Sequence, residues 1–177
     1  MLNHGISTGA LFIGVGLLYE RRHSLEIEDF GGVATAAPWL STVFLITTLA
    51  SIGLPVLNNF VGEFLVLQGA AVANYTWTIY ASIGVILSAC YMLWMYQRVF
   101  YGEMGAEVRS LVPDLKLREW AAVVPLIVMM VWMGVYSQSF LPQVGKVNER
   151  VLGQTQVNVP FRVELAPLQR VEVSRAR

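Results

Sequence analysis

Residues 52–64 read IGLPVLNNFVGEF, and they place one proline, two asparagines and one glutamate inside a long apolar segment. From Trp39 to Ala73 the only charged residue is Glu63. A continuous helix over residues 39–73 would be about 52 Å long at about 1.5 Å per residue. The hydrocarbon core of a bilayer is only about 30 Å thick. The sequence therefore predicts a long membrane segment that is broken near Pro55.

The residues around the proline indicate what the break contains. Proline lacks a backbone N–H and clashes with the preceding helical turn, so Pro55 interrupts the hydrogen-bond ladder. Asn58 and Asn59 offer side-chain hydrogen bonds close by. Irregular backbone at membrane depth is tolerated only inside protein or beside a water-filled cavity. We therefore expect a hydrated gap shaped by Pro55, Asn58 and Asn59, with Glu63 in or near the first turn of the following helix.

The remaining chain has the composition of a membrane protein. Hydrophobic residues make up 55% of the 177 positions, charged residues make up 14%, and the mean hydropathy is +0.56. Besides the broken segment at about 39–73, apolar runs at about 1–20, 76–101 and 120–140 are each long enough to cross a bilayer. These runs predict an all-α, polytopic transmembrane bundle over residues 1–140 and an exposed C-terminal tail over 141–177.

Charge and cysteine content exclude several function classes. Twelve basic and twelve acidic residues balance, so no basic field indicates nucleic-acid binding. Cys90 is the single cysteine, which excludes an internal disulfide and a paired-cysteine metal site. His4 and His23 would be about 28 Å apart along one helix, so they do not form a metal site together. Basic residues in the loops after the first and third crossings predict, by the positive-inside rule, that both loops face the cytoplasm or its equivalent.

Few ionisable groups lie within the apolar runs, and these groups are the candidate functional residues. Glu63 and His4 lie inside the runs, whereas the further candidates Glu20 and His23 lie at a helix end that water reaches. A strongly charged group at membrane depth costs at least about 2.5 kcal/mol, so it is paired, neutralised or beside water. We interpret Glu63 as a proton carrier and His4 as its relay. The alternatives are a protonated Glu63 that only packs and a His4 that only donates a hydrogen bond between helices.

The order of short motifs along the chain resembles one protein family. The motifs are NHGISTGALF (3–12), LYERRH (18–23), LASIGLP (49–55), NFVGEF (59–64) and ILSACYMLWMYQRVFYGE (86–103). Their order is similar to the C-terminal part of the antiporter-like membrane subunits of NADH:quinone oxidoreductase, respiratory complex I. The resemblance covers roughly residues 1–140. The GEF tripeptide is typical of the M type, the homologue of mitochondrial chain 4, whereas related types usually carry a lysine in place of Glu63.

The resemblance implies a function and a place for each candidate residue. It implies proton translocation coupled to electron transport by a multi-pass protein of the bacterial cell membrane. The four crossings would match family helices 11 to 14, with Glu63 on the proton exit route in the broken helix 12 and His4 on the relay in helix 11. The family's central lysines and its glutamate–lysine pair belong to helices that this chain lacks. We therefore expect an N-terminally truncated subunit that does not pump protons alone.

The same resemblance implies where cofactors and partners belong. FMN, iron–sulfur clusters and quinone would bind other subunits, and this chain would hold no cofactor, no metal and no redox active site. Its partners would be the L- and N-type antiporter-like subunits of complex I and the lipid bilayer.

Two other functions fit the same residues. One is a structural membrane module in which the break and its carboxyl group serve only helix packing and subunit assembly. The other keeps ion transport but assigns the chain to a cation/proton antiporter or a membrane-bound hydrogenase.

Overall fold

A computed structural model of the chain describes residues 1–103 and 106–154. Every regular element in these ranges is helical, which confirms the all-α prediction. Short 3₁₀ turns occur at Ile27–Asp29 and Ser137–Ser139. The helices are α1 (Leu2–Arg22), α2 (Val33–Ala36), α3 (Pro38–Ser51), α4 (Asn58–Ala73), α5 (Tyr75–Phe100), α6 (Ala106–Leu111), α7 (Leu117–Val135) and α8 (Leu141–Gln154).

The chain divides into two compact units, Met1–Phe140 and Leu141–Arg177. In the second unit the structure describes α8 only, a helix within the stretch that the sequence analysis treated as a tail. The part of the predicted tail from residue 155 onward lies outside the described residues.

Three helices, α1, α5 and α7, are long and apolar enough to cross a membrane. The predicted long segment consists of α3 and α4, of 14 and 16 residues, with residues 52–57 between them. This arrangement confirms the predicted break near Pro55. The last crossing begins at Leu117 rather than 120 because its first turn is capped, with the Glu119 carboxylate accepting a hydrogen bond from the Lys116 N–H at 2.8 Å.

Two clusters of buried side chains hold the first unit together. The cluster near the charged loops centres on Phe44, whose ring lies 4.9 Å from that of Phe100 between centroids. Gly14 lets the Phe44 ring pack closely against α1, because a Cβ at position 14 would lie 2.7 Å from that ring. The second cluster joins α1 and α7 to the residues around the break, and Phe140 packs against it. Its buried members are Ile6, Ala10, Ala50, Leu57, Met130 and Met133.

Arg21 ties the end of α1 to the loop that precedes α7. Its guanidinium donates to the Glu119 carboxylate at 2.7 Å and to backbone carbonyls of the loop, and its side chain is only 6% exposed. Asp114 of the same loop accepts hydrogen bonds from the backbone N–H groups of Trp39 and Leu40. This carboxylate therefore serves as the N-cap that α3 does not supply itself. The structure therefore buries this ion pair between α1 and the start of α7.

Candidate functional site

The break begins with a glycine-capped end of α3. The N–H of Gly53 donates to the carbonyl of Ala50 at 3.3 Å. The N–H of Leu54 donates to the carbonyl of Leu49 at 3.0 Å. These two bonds define a Schellman motif, and Gly53 takes its left-handed position with a φ of 76°. The sequence predicts that Pro55 interrupts the helix, whereas in the structure Gly53 ends the helix and Pro55 prevents its continuation.

A four-residue turn then connects this capped end to α4. The N–H of Leu57 donates to the carbonyl of Leu54 at 3.1 Å, with Pro55 and Val56 at the central positions, as in a type II turn. Val56 has a φ of 82°, which strains a β-branched residue. Helix α7 leaves room for this backbone, since a Cβ on Gly134 would overlap the carbonyl group of Val56. Protein therefore covers one side of the irregular backbone, as a membrane interior requires.

Asparagine side chains fasten the first turn of α4 to α1. The Nδ2 of Asn58 donates to the carbonyl of Asn3, and the Nδ2 of Asn3 donates to the carbonyl of Asn58, both at 2.8 Å. The Nδ2 of Asn59 donates to the Ser7 hydroxyl at 3.0 Å, and that hydroxyl donates to a carbonyl within its own helix. Two of these acceptors are backbone carbonyls, and the Ser7 hydroxyl already donates its hydrogen within α1, so all three amides present their nitrogen to these partners.

The side-chain amide oxygens of the same three asparagines have no hydrogen-bond partner in the described structure. Among the described residues, four buried side-chain oxygens lack a hydrogen bond, and all lie around the break: those of Asn3, Ser51, Asn58 and Asn59. A buried acceptor without a donor costs roughly 1–3 kcal/mol. Such a concentration of unsatisfied polar atoms favours entry of water, which supplies the missing donors.

A cavity of about 540 Å³ opens beside these oxygens, between α1, α4 and α5. Glu63 and His4 both line this cavity, and Ser88 and Tyr91 of α5 line it from a third helix. The Nδ1 of His4 lies 2.5 Å from the hydroxyl of Thr8, one turn further along α1. One water molecule takes about 30 Å³ in the liquid, so the cavity is large enough for a chain of several waters. The structure thus brings the two predicted proton carriers to one cavity.

The carboxyl group of Glu63 lies directly against the break. A Cβ on Gly53 would overlap its Oε2 atom, so only glycine permits this approach. The structure places Glu63 in the second turn of α4 rather than the first, because α4 already begins at Asn58. Its side chain still reaches the break, since side chains on a helix point towards the N-terminus. Among the described residues no hydrogen bond or ion pair reaches this half-buried carboxyl group.

Glu20 and His23 lie at the opposite end of α1 from His4. Glu20 is exposed in the last turn, and His23 ends the helix with a φ of 55° and its ring edge-on to Tyr19. Neither residue lines the cavity. Within residues 1–103 and 106–154, no group of three or more His, Cys, Asp or Glu side chains is placed to hold a metal ion.

Sequence reasoning missed several residues of this site. Asn3 could have been predicted from the sequence, because a polar amide directly beside His4 in an apolar segment is unusual. Gly134 follows no pattern that separates it from packing glycines. Ser88 and Tyr91 belong to an ordinary apolar helix, and only the packing of α5 on α4 brings them to the cavity.

Comparison with known proteins assigns the family. Residues 1–89 match the family described as NADH:quinone oxidoreductase/Mrp antiporter, TM. The chain belongs to this family.

Two relatives of this family member show its closer similarity. It is 43% identical over 136 residues to NADH-quinone oxidoreductase subunit M of Rhodobacter capsulatus, a match that covers 77% of this chain. It is 42% identical over 141 residues to NADH-ubiquinone oxidoreductase chain 4 of Marchantia polymorpha, over 80% of this chain. The matches confirm the predicted resemblance to M-type subunits and an integral membrane protein. The chain spans 27% and 28% of the length of these two relatives.

A solved structure shows the same fold. The structure of the Mrp complex from Dietzia sp. DQ12-45-1b contains a chain that superposes with a TM-score of 0.68 at 19% identity. The match covers 79% of this family member and 34% of that chain. The assignment of the crossings to family helices 11 to 14 stays a prediction.

Proposed function

We propose that the chain is part of an M-type, proton-translocating membrane subunit of NADH:quinone oxidoreductase, in which Glu63 carries a proton at the helix break. The observation that carries the proposal is that Glu63 and His4, on two different helices, line one cavity beside irregular backbone. Intramembrane ionisable groups that face such a cavity are typical of proton relays. Membership in the family and the names of the M-type relatives support the same function.

The proposed relay has two protein groups joined by water. The imidazole of His4 takes up and releases the proton through its ring nitrogens, and the Thr8 hydroxyl beside Nδ1 orients the ring. Cavity water carries the proton between the imidazole and the Glu63 carboxyl group. Asn59 lies one turn before Glu63 on α4 and offers its unpaired amide oxygen to that water. Glu63 holds the proton in its neutral form, which suits a group without a cationic partner in the described structure.

The proposal also assigns the redox groups and the partners. FMN, iron–sulfur clusters and quinone belong to other subunits, and the L- and N-type antiporter-like subunits and the bilayer surround this chain. The outer face of α5 supports such surroundings, because large apolar side chains cover it without a partner in the described structure: Ile79, Ile83, Ile86, Leu87 and Leu93.

Glu63→Gln in the complete complex tests the proton role. Glutamine keeps the size of the side chain but does not ionise, so we expect fewer protons moved per electron while the complex still assembles. Inverted membrane vesicles allow the rate of NADH oxidation and the resulting pH gradient to be measured together. Glu26→Gln, in the exposed connector after α1, is the matched control and should leave the ratio unchanged. A wild-type ratio in an assembled Glu63→Gln complex would reject the proposal.

A purely structural role for the break predicts different results for two variants. If the break serves only assembly, Glu63→Gln is harmless and Pro55→Ala reduces the amount of assembled complex. Quantifying the complex on native gels beside the proton ratio separates the two functions.

Cation/proton exchange is the second candidate, because the family description and the matching fold both include Mrp antiporters. An antiporter would collapse a pre-formed pH gradient when sodium or potassium is added, without NADH. Vesicles containing the wild-type chain and its complete assembly should show no such collapse if the first proposal holds.

A further inference from the structure

Helix α8, Leu141–Gln154, has one apolar and one charged face. Val144, Val147 and Val151 recur at helical spacing, and they are 46%, 59% and 50% exposed. Lys146, Glu149 and Arg150 lie on the other face. None of the α8 residues is buried in the described structure.

The length and charge of α8 exclude a membrane crossing. Its 14 residues make a helix of about 21 Å, shorter than the roughly 30 Å of the hydrocarbon core. Three charges on one face would also have to enter that core. An exposed apolar face of this kind marks a surface that binds a protein or a membrane.

The chain that leads into α8 comes directly from the membrane. Helix α7, a candidate span, ends at Val135, and the exposed aromatic side chains of Trp132 and Tyr136 mark this end as a membrane–water interface. Phe140, the last residue before α8, packs on the buried cluster beside the break. Only residues 136–140 separate the end of α7 from Leu141, so the chain connects α8 to the point where α7 leaves the membrane.

We propose that α8 binds the lipid surface of this membrane and lies in its headgroup region. Val144, Val147 and Val151 face the acyl chains, and Lys146 and Arg150 face water and lipid phosphates. Helices with one apolar face, one charged face and low net hydrophobicity lie in the bilayer interface, with the apolar face buried about 5–10 Å into the boundary between headgroups and acyl chains. The proposal does not depend on proton transfer, since it uses no residue of the cavity.

Site-directed spin labelling tests the orientation residue by residue. Cys90 is first replaced by alanine, so that each variant of the full chain carries one cysteine. Single cysteines at 144, 147 and 151 report the apolar face, and those at 146, 149 and 150 report the charged face. The labelled chains are reconstituted into vesicles of phosphatidylcholine and phosphatidylglycerol. Power saturation then measures collisions with oxygen, which concentrates in lipid, and with a water-soluble nickel chelate.

The expected result alternates with the helical period. Labels replacing the three valines should collide several-fold more with oxygen than with nickel, and labels replacing the three charged residues should show the reverse. A cysteine replacing Glu26 in the exposed connector gives the reference value for water. Nickel-accessible labels on both faces would overturn the proposal in favour of a free helix. Valine-site labels inaccessible to both reagents would overturn it in favour of a protein partner.

Discussion

At the scale of single residues, the site depends on the close approach of Glu63 to Gly53. Gly53 has a φ of 76° and leaves the space that the Glu63 carboxyl group occupies. One residue therefore does two things: it ends α3, and it admits the carboxyl group to the irregular backbone. The neighbouring amides of Asn3, Asn58 and Asn59 add unpaired acceptors to the same space.

Gly53→Ala should impair both stability and proton transfer. A Cβ would overlap the Glu63 carboxyl group, and a left-handed conformation costs a residue with a Cβ about 1–2 kcal/mol. We expect a lower thermal midpoint in detergent and a lower ratio of protons to electrons in vesicles. Gly69→Ala on α4 is the control, because open space surrounds that position and alanine favours a helix. A Gly53→Ala complex with the wild-type thermal midpoint and the wild-type ratio of protons to electrons would show that the contact between Gly53 and Glu63 is not needed.

At the scale of elements, α3 and α4 are two helices joined by a strained turn and held from both sides. Helix α1 holds the start of α4 through the reciprocal bonds of Asn3 and Asn58. Helix α7 accommodates the turn at Gly134. The turn keeps Val56 at a φ of 82° because these neighbours determine the path of the backbone.

Val56→Gly should stabilise the protein. Glycine adopts the left-handed conformation without strain, which removes a cost of about 1–2 kcal/mol. The extra conformational entropy that glycine loses on folding costs only about 0.5–1 kcal/mol, so the free energy of unfolding should rise. The thermal midpoint should rise, whereas Val56→Ile, which keeps the β-branch, should not raise it. A midpoint that falls in Val56→Gly would show that the turn is not strained at this position.

At the scale of the whole bundle, the first unit has a polar clamp at one end and the helix break with its cavity at the other. The clamp consists of Arg21 and Glu119, with side chains 6% and 11% exposed, and it joins α1 to α7. Because α1 also carries His4 and α7 also carries Gly134, the clamp orients both helices that hold the break.

Glu119→Gln should destabilise the bundle by about 3–5 kcal/mol, since it leaves the Arg21 charge buried without its counter-ion. Glu28→Gln is the matched control, because Glu28 is 84% exposed and lies 3.9 Å from Arg98 in an exposed pair. Exposed pairs contribute little, so the control should unfold near the wild-type midpoint. Equal thermal midpoints for the two variants would show that the buried ion pair of Arg21 and Glu119 stabilises the bundle no more than the exposed pair does. The break should remain intact in both variants at low temperature, as judged by an unchanged proton ratio.

The sequence by itself determined the class of the protein and the centre of its site. Apolar runs of bilayer length determined the membrane helices, because their burial depends on composition and length alone. Glu63 and His4 stood out for the same reason, since an ionisable group in an apolar run is costly wherever it lies. The resemblance of the motifs to M-type subunits also needed no structure.

Only the tertiary structure decided which polar groups meet. Asn3 and Asn58 are 55 positions apart, and Arg21 and Glu119 are 98 apart. The hydrophobic effect that drives helices together has no direction, so the apolar pattern does not specify which side chains will face each other. The close approaches at Gly53 and Gly134 likewise depend on the path of a second segment. The cavity, the clamp and the strained turn therefore arise from packing, because each needs two helices placed to within a fraction of an ångström.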